Sequence, residues 1–278
     1  TKWYQFRIPL AESTNTVGGI TDFRSIRFAR LYLNDFNQRT ILRFATLDLV
    51  RSDWRRYKLA LDEEANNDND NTEFNVGTIG IQENDGNYVS PPGVEREQLN
   101  NNNTIVRQNE QSLVVNVCEL EPEDSRAVFK NINVDMRQYK KLKMFIHAEE
   151  GTSPGLMDGD AVGFIRMGND FTQNYYQIEI PLEVTVGVST DEETVWPNNN
   201  QINIPVETLS KIKSLGISAG TLANENPTFY NVIDGVLDEN PMPEFSPYEI
   251  GQQRIAVKGN PNFGDIRTLM VGVKNPSQ

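Results

Sequence analysis

The chain has 278 residues, with 26 basic and 39 acidic side chains and a formal net charge of −13. That length can build one large domain or two smaller ones around a real core. The acidic balance argues against a nucleic-acid partner, because phosphate contacts need clustered Lys and Arg. The single cysteine excludes an internal disulfide, and the single histidine excludes a histidine-rich metal site and argues against a Ser-His-Asp triad. No apolar run reaches the ~18 residues of a membrane helix, and the first residues lack a secretion-signal pattern.

The charge is unevenly distributed and divides the chain into three regions. Residues 1–60 carry a net charge of +6, residues 61–111 of −9 and residues 112–278 of −10. The middle region contains polar Asn-rich tracts at 66–71 and 100–103, which we expect to be loops or disordered because they can bury almost no apolar surface. An apolar island at 74–81 predicts a short strand between them. We therefore predict an acidic connector over 61–111 that joins two folded bodies.

Period-two alternation of apolar and polar residues dominates the rest of the chain and predicts strands. Residues 141–148 are typical, because Leu142, Met144, Ile146 and Ala148 fall on one face of an extended segment. Only residues 206–214 predict a short helix, with Pro205 suited to its first turn. Many short strands with Gly, Pro and Asn between them indicate an all-β antiparallel β-sandwich or jelly roll with minor helix content. Further strands are predicted at 41–57, 113–117, 127–134, 161–168, 175–182, 202–204, 254–257 and 271–273.

A repeated phrase links the two ends of the chain. Residues 3–10 (WYQFRIPL) and 175–182 (YYQIEIPL) are identical at five of eight positions. A weaker pair, 23–27 (FRSIR) and 263–267 (FGDIR), follows in the same order, as duplicated modules would give. Either residues 1–60 are the C-terminal strands of a first sandwich and 112–278 form a second one with long loop insertions, or the N-terminal strands complete a single sheet. In the second copy, the residues expected to point inward are Tyr176, Ile178, Ile180 and Leu182.

Five longer phrases carry a family resemblance over nearly the whole chain. They are residues 26–33 (IRFARLYL), 47–57 (LDLVRSDWRRY), 91–97 (PPGVERE), 130–142 (KNINVDMRQYKKL) and 164–170 (FIRMGND). These phrases resemble the SprA family of gliding-motility and type IX secretion translocon proteins of Bacteroidetes. The resemblance implies that the chain is a fragment of a very large outer-membrane β-barrel protein that passes folded cargo to the cell surface. It also implies three partners: a PorV-type shuttle protein, a plug protein and the secreted cargo.

The strand predicted from residue 41 does not suit the lipid-facing wall of such a barrel. Arg43, Asp48, Arg51 and Asp53 interrupt both of its faces, and each Arg at the bilayer midplane would cost roughly 2–4 kcal/mol. We therefore expect a soluble domain on the periplasmic or cell-surface side of the outer membrane. It would act through structural and partner contacts, without catalytic residues, cofactor, metal or nucleic acid.

The alternative function is that of a carbohydrate-binding module of a cell-surface or secreted protein. Residues 135–146 resemble the core strand of galactose-binding jelly-roll modules, which favours that fold more than sugar binding. A glycan site would need exposed rings beside polar groups, and packing at edges or interfaces is the commoner role for such rings. The candidates are Trp54, Tyr57, Trp196, Tyr230 and Tyr248.

Acidic groups give two weaker hypotheses. Calcium takes six to eight oxygen ligands, but the candidate sequences are better explained as surface turns. Paired carboxylates could act on a glycosidic bond, but neighbouring strand residues point to opposite faces, so solvated loop acids are favoured. The calcium candidates are Asp158, Gly159, Asp160, Asp191, Glu192 and Glu193, and the paired acids are Glu121, Glu123, Asp124, Glu149 and Glu150.

The only cysteine and the only histidine are both expected to be structural. Cys118 follows Val115 and Val117 on an apolar strand and is predicted to be a small buried side chain. His147 alternates with Lys143 and Phe145, so it is predicted to point away from the Leu142 face, as a solvated or cross-strand side chain.

Overall fold

The computed structural model describes residues 6, 8, 15, 17, 30–45, 53–59, 61, 71–81, 88–96, 98–101, 104–107, 109–151, 155–243 and 246–277. The chain divides into two compact units, Thr1–Val50 and Arg51–Gln278. In the first unit the described residues form no helix or strand, and 30–45 are exposed throughout. The first copy of the repeat, 3–10, lies outside the described residues except for Phe6 and Ile8, as does the block 23–27.

Strands dominate the described part of the second unit, which confirms the all-β prediction. Two α-helices, α1 (Glu192–Val195) and α2 (Val206–Ala219), and two short 3-10 turns at Met136–Gln138 and Asn198–Asn200 accompany them. The strands are β1 (Arg55–Arg56), β2 (Glu73–Gly80), β3 (Gln98–Asn101), β4 (Thr104–Arg107), β5 (Gln111–Cys118), β6 (Ser125–Val134), β7 (Lys141–Phe145), β8 (Ala148–Glu149), β9 (Val162–Gly168), β10 (Tyr175–Pro181), β11 (Val184–Thr185), β12 (Gln201–Pro205), β13 (Thr228–Ile233), β14 (Val236–Pro241), β15 (Gln252–Lys258) and β16 (Ile266–Lys274).

Eight of these strands form one antiparallel sheet in the order β1-β6-β16-β9-β10-β15-β13-β14. At its centre, β9 pairs with β10 without interruption from Val162 opposite Pro181 to Gly168 opposite Tyr175. Both central strands are buried along their whole length. Because successive side chains point to opposite faces of a strand, these two strands must be covered on both faces of the sheet.

The first face of the sheet packs against a two-stranded ribbon and helix α2. The ribbon pairs β7 with β12, with Leu142 opposite Ile204. The predicted apolar face of residues 142–148 packs against this core, which confirms that prediction. Full burial of each Ile or Leu side chain stabilises the folded state by about 1.5–3 kcal/mol. This layer holds most of the buried apolar side chains, so it is the main apolar core. Its fully buried members include Ile178, Ile180, Ile202, Ile204, Leu209, Ile212 and Ile255.

Helix α2 starts where the sequence predicts and continues beyond residue 214 to Ala219. Pro205 is the N-cap residue rather than part of the first turn, with φ −60° and ψ 136°. Its missing N–H carries no penalty there, because the first amides of a helix have no intrahelical acceptor. Gly220 ends the helix in the left-handed conformation at φ 70°, and its N–H bonds to the carbonyls of Gly216 and Ile217.

Three smaller two-stranded sheets complete the described fold. β2 pairs with β5, which confirms the strand predicted at the apolar island. β8 and β11 form a short parallel pair. β3 and β4 form an antiparallel pair with Asn101 opposite Thr104, so the expectation that 100–103 is wholly loop or disordered was wrong. Pairing between strands uses backbone groups and requires no apolar side chain.

Part of the strand predicted over 41–57 is present at the edge of the large sheet. Arg55 and Arg56 pair with Phe129 and Val128, and the N–H of Tyr57 bonds to the carbonyl of Ala127. Residues 41–45 form no strand, and 46–52 lie outside the described residues. Alternation reports which side chains suit a sheet face, but a strand also needs a neighbour for its backbone groups.

Candidate functional site

A row of buried polar side chains crosses the second face of the sheet. Ile165 of β9, Ile178 of β10 and Ile255 of β15 point to the core. The residues next to each of them in the chain therefore point to the opposite face of the sheet. Strand register then aligns Arg166 with Gln177 and Glu179 with Arg254. We call Arg166, Gln177, Glu179 and Arg254 the polar row; all four are at most 9% exposed.

Hydrogen bonds connect the polar row into a chain. Arg166 donates from Nε to Gln177 Oε1 at 2.7 Å, and Gln177 donates from Nε2 to Glu179 Oε1 at 2.6 Å. A second Arg166 nitrogen donates to the carbonyl of Phe171 at 2.7 Å, and the guanidinium lies 4.2 Å from the centre of the Tyr175 ring. Burial lowers the pKa of Arg166 from its usual value. A buried charge without partners lowers the stability of the folded state, and these contacts offset that cost for the polar row.

Tyr248 covers the other end of the polar row. Its hydroxyl donates to Glu179 Oε2 at 2.7 Å, and its ring centre lies 3.6 Å from the Arg254 guanidinium. Arg254 also donates to the backbone carbonyls of Ser246, at 2.7 Å, and Pro247. Burial, followed by the nearby Glu179 carboxylate, raises the pKa of Tyr248, so the hydroxyl stays protonated and remains a donor. Residues 246–248 therefore form a strap that seals this part of the face.

An aromatic cluster covers the opposite end. Tyr57, Phe129 and Phe171 meet edge to face, with ring centres 5.1–6.1 Å apart. Beside Arg166, Gln177 and Glu179 of the polar row lies a cleft of about 70 Å³, which has room for a few water molecules. Ligand pockets usually measure ~300–1,000 Å³, so the cleft does not hold a sugar or an organic cofactor. It is lined by Leu61, Glu123, Ser125, Phe164, Arg166, Gln177, Glu179 and Lys274.

The rings considered for glycan binding are mostly engaged in packing. Tyr230 is 2% exposed in the main core, and Tyr57 belongs to the aromatic cluster. The Lys130 ammonium lies over the Trp54 ring, 4.8 Å from the ring centre. Trp196 is 8% exposed, and its indole N–H donates to the carbonyl of Val89 at 3.0 Å. Together with Tyr248, these residues are dispersed and do not form one exposed platform.

The acidic calcium candidates act as acceptors for nearby backbone amides. Asp158 accepts from the N–H of Val184 at 2.7 Å, and Asp160 accepts from Met157 at 2.8 Å. Asp191 caps α1 and accepts from the hydroxyl of Thr194 at 2.7 Å and from its N–H at 3.0 Å; these two bonds, the first above all, lower the pKa of Asp191. Within the described ranges, no group of three or more His, Cys, Asp or Glu side chains is arranged to hold a metal.

The paired acids fall in different environments. Glu149 is exposed at the end of β8, whereas Glu150 accepts from the N–H of Gly155 at 3.0 Å. Glu121 and Glu123 are exposed, but Asp124 is 7% exposed and forms an ion pair with Arg126. Asp124 is therefore a buried partner of Arg126 rather than the solvated loop acid that the sequence favours.

The prediction for Cys118 was wrong, and the prediction for His147 holds in part. Cys118 is exposed, because alternation along β5 puts Asn116 and Cys118 on the open face of the β2–β5 pair. His147 lies outside the apolar set of Leu142, as predicted, but it is half-buried and its ring lies against Trp196, with centres 5.8 Å apart. Its Nε2 is buried without a hydrogen-bond partner, and burial lowers the pKa of His147.

Sequence reasoning did not identify the polar row. Arg166, Gln177 and Glu179 alternate with apolar residues, a pattern typical of a solvated outer face. The groups that cover them, Tyr57 and Tyr248, are far away in the chain, so no local signal shows that the face is closed. Only the density of charged and amide side chains on two adjacent predicted strands could have pointed there.

Comparisons with known proteins give one finding over the full chain. The family model SprA_N, described as a motility related/secretion protein, matches residues 1–278. No curated protein matches the chain at a significant level. Among the described residues, no helix has both the length and the apolar character needed to cross a bilayer.

Proposed function

The chain belongs to the SprA_N family of motility-related and secretion proteins, and we propose that it is a water-exposed segment of a type IX secretion translocon in the outer membrane. In this role it serves protein export and gliding motility through structural and partner contacts. The proposed partners are a PorV-type shuttle protein, a plug protein and secreted cargo. The family match over the whole length carries this proposal.

The described structure supports a non-enzymatic role. The polar row could supply acid–base groups, but Glu179 and Arg166 are engaged with Gln177, Tyr248 and Phe171. The cleft beside them is too small for an organic substrate. We therefore propose that the polar row holds the sheet and its strap together. Hydrolysis of a polysaccharide or peptide by the purified chain, abolished by Glu179→Gln, would contradict a non-enzymatic role.

We also propose the three-part organisation that the charge distribution predicts. Residues 1–60 would be the C-terminal strands of a first sandwich, except that Arg55 and Arg56 pair with β6 of the large sheet. Residues 61–111 would be an acidic connector, whose β2 pairs with β5, and 112–278 a second sandwich. The large sheet, the β7–β12 ribbon and α2 support a folded body in the last region. Residues 41–45 form no strand, and the charges of Arg43, Asp48, Arg51 and Asp53 support placing the segment in water on one side of the membrane.

Affinity purification tests the proposed partners. An affinity tag on the full-length protein should recover the PorV-type shuttle and the plug protein from outer-membrane extracts of a gliding bacterium that encodes it. Recovery of neither protein, with normal cargo secretion in a strain lacking the gene, would contradict the proposal.

A complementation assay tests whether this segment is required. Full-length protein carrying Ile178→Asp, which places a carboxylate at a fully buried core position, should not restore spreading on agar or cargo secretion. The matched variant Ile233→Asp changes a side chain that is 46% exposed and should restore both. Full restoration by Ile178→Asp would show that the segment is dispensable.

A further inference from the structure

One end of the second unit carries exposed apolar side chains at the tip of a loop. Val186 is 81% exposed and Val188 is 94% exposed, on either side of Gly187 at φ 75°. Met157, which is 68% exposed, precedes Asp158, whose carboxylate accepts from the N–H of Val184, two residues before Val186. We call Met157, Val186 and Val188 the apolar tip. Exposed apolar side chains that cluster together mark contact sites more often than isolated ones.

Hydrogen bonds on both sides hold the apolar tip out from the fold. Before the tip, β11 pairs with β8, and the hydroxyl of Thr185 donates to the carbonyl of Thr194 at 3.1 Å. After the tip, Asp191 caps α1, and α1 leads into Val195 and Trp196, which are both buried. The loop is therefore anchored at its base, so binding would need little extra ordering of the chain.

All charged side chains in the two chain segments that carry the tip are acidic. Residues 148–161 and 182–200 contain eight Asp and Glu residues and no Lys or Arg. Six of the eight are exposed, namely Glu149, Asp158, Asp160, Asp191, Glu192 and Glu193. An apolar centre within a polar rim is the usual arrangement of a protein–protein contact site. The negative rim repels anionic lipid headgroups and attracts a surface rich in Lys and Arg.

We propose that the apolar tip and its acidic rim form a docking site for a protein surface that has an apolar pocket bordered by Lys and Arg. The valines would enter the pocket, and the carboxylates would set the orientation and speed the encounter. This interface is independent of the translocon assignment, because it depends only on the exposure and charge of these residues.

Site-specific photo-crosslinking in living cells tests the docking site. The full-length protein carries a photo-reactive amino acid at position 188, and a matched control carries it at Val236, which is 70% exposed on the edge strand β14. Position 188 should crosslink to one protein, and the crosslinked peptide mapped by mass spectrometry should combine Lys or Arg with apolar residues. A crosslink to phospholipid, to a peptide without basic residues, or no crosslink above that at 236 would overturn the proposal.

Substitutions separate the two contributions. Glu192→Gln with Glu193→Gln should reduce the crosslink at 188 by about three- to tenfold, because it removes two rim charges. Val186→Ser should also weaken it, while the unfolding midpoint stays unchanged because this side chain is exposed. An undiminished crosslink in both variants would overturn the proposal.

The outcomes distinguish this docking site from the proposed function. If shuttle and plug proteins co-purify but 188 gives no crosslink, the docking site is refuted and the translocon role stands. If 188 crosslinks to a basic surface outside the secretion machinery, and neither the shuttle nor the plug protein co-purifies while secretion without the gene is normal, the docking site stands and the translocon role is refuted.

Discussion

Glu179 illustrates how a charged side chain is accommodated inside a sheet face. The carboxylate is 4% exposed, and its two oxygens accept from Gln177 and Tyr248. Tyr248→Phe keeps the ring over Arg254 but removes the hydroxyl donor. We expect the free energy of unfolding to fall by about 1.5–3 kcal/mol, the range for a hydrogen bond to a charged group. Urea denaturation of both proteins measures this difference.

Tyr139→Phe is the matched control for that experiment. Tyr139 is 55% exposed, so loss of its hydroxyl should change the free energy of unfolding by no more than about 0.5 kcal/mol. Equal stabilities of the two variants would mean that the strap does not stabilise the polar row.

His147 should give the protein a pH-dependent stability around neutrality. Burial holds the pKa of His147 below its usual value of 6.5, while the charge of Glu149 opposes this shift. Near pH 6.5 the unfolded chain then binds a proton that the folded protein does not bind, so stability falls as pH drops through that value. Because the chain has no other histidine, His147→Gln should flatten the change in urea midpoint between pH 7.5 and 5.5.

A second variant checks the sign of this effect. Glu149→Gln removes the charge that raises the pKa of His147, so stability should fall more steeply on acidification. The same slope in His147→Gln as in the original protein would assign the pH dependence to other groups.

The burial of a single residue could be predicted from the sequence only where the covering of its strand face could be predicted too. Alternation correctly placed Ile178 and Ile180 in the core. The same alternation puts Cys118 and Val117 on different faces of β5. The sequence does not show that the face of the β2–β5 pair carrying Cys118 is open to solvent. At Glu179, alternation indicates an outward side chain, yet Tyr248 from a distant segment covers that face of the strand.

At the scale of elements, close packing between strands limits what can replace a glycine. Gly272 in β16 lies between Ala127 of β6 and Phe164 of β9. A Cβ at this position would lie 2.5 Å from the Phe164 ring and 2.5 Å from the carbonyl oxygen of Arg126. We expect Gly272→Ala to destabilise the protein by about 1–3 kcal/mol, as overpacking a core does. Thermal and urea unfolding check the change.

The control for Gly272→Ala is Gly151→Ala. No atom lies within 4 Å of a Cβ built at Gly151, so we expect an effect within about 0.5 kcal/mol. A Gly272→Ala variant as stable as this control would show that β16 and β9 can separate without cost.

The strands that sequence predicted are those with clear alternation, and the missed ones have a different signal. β13 and β14 were not predicted, because Thr228–Ile233 and Val236–Pro241 carry polar residues on both faces. Asp234 and Gly235 join them with φ of 51° and 78°, and Ile233 pairs with Val236. An Asp-Gly pair between β-branched residues is a strong hairpin signal, so turn chemistry would have found this hairpin.

At the scale of the whole molecule, fold class follows from the sequence, whereas the covering of the sheet does not. Short alternating segments require an antiparallel sheet with one apolar face, and the β7–β12 ribbon and α2 cover that face. The second face is covered by residues near 57, 171 and 248, which come from separate parts of the chain. Contacts between distant segments leave no local sequence pattern, so the burial of the polar row could not be predicted from the sequence.

The segment 88–90 shows how the acidic connector region is attached to the body of the second unit. Its hydroxyl groups bind one carboxylate: Tyr88 donates to Glu110 Oε1 at 3.0 Å and Ser90 to Glu110 Oε2 at 2.9 Å. From the other side, the indole of Trp196 donates to the carbonyl of Val89. A tryptophan 107 residues away in sequence thus fixes the segment to the fold.

Trp196→Phe should loosen this attachment while keeping the ring against Phe145 and His147. Loss of one hydrogen bond worth ~1 kcal/mol should speed amide hydrogen exchange over 88–96 by about three- to tenfold. Hydrogen exchange measured by mass spectrometry reports this region directly. Trp54→Phe is the matched control, because Trp54 contacts Lys130 instead, and it should leave 88–96 unchanged. If exchange over 88–96 is equal in both variants, the bonds of Tyr88 and Ser90 to Glu110 and Ser112 hold the segment without Trp196.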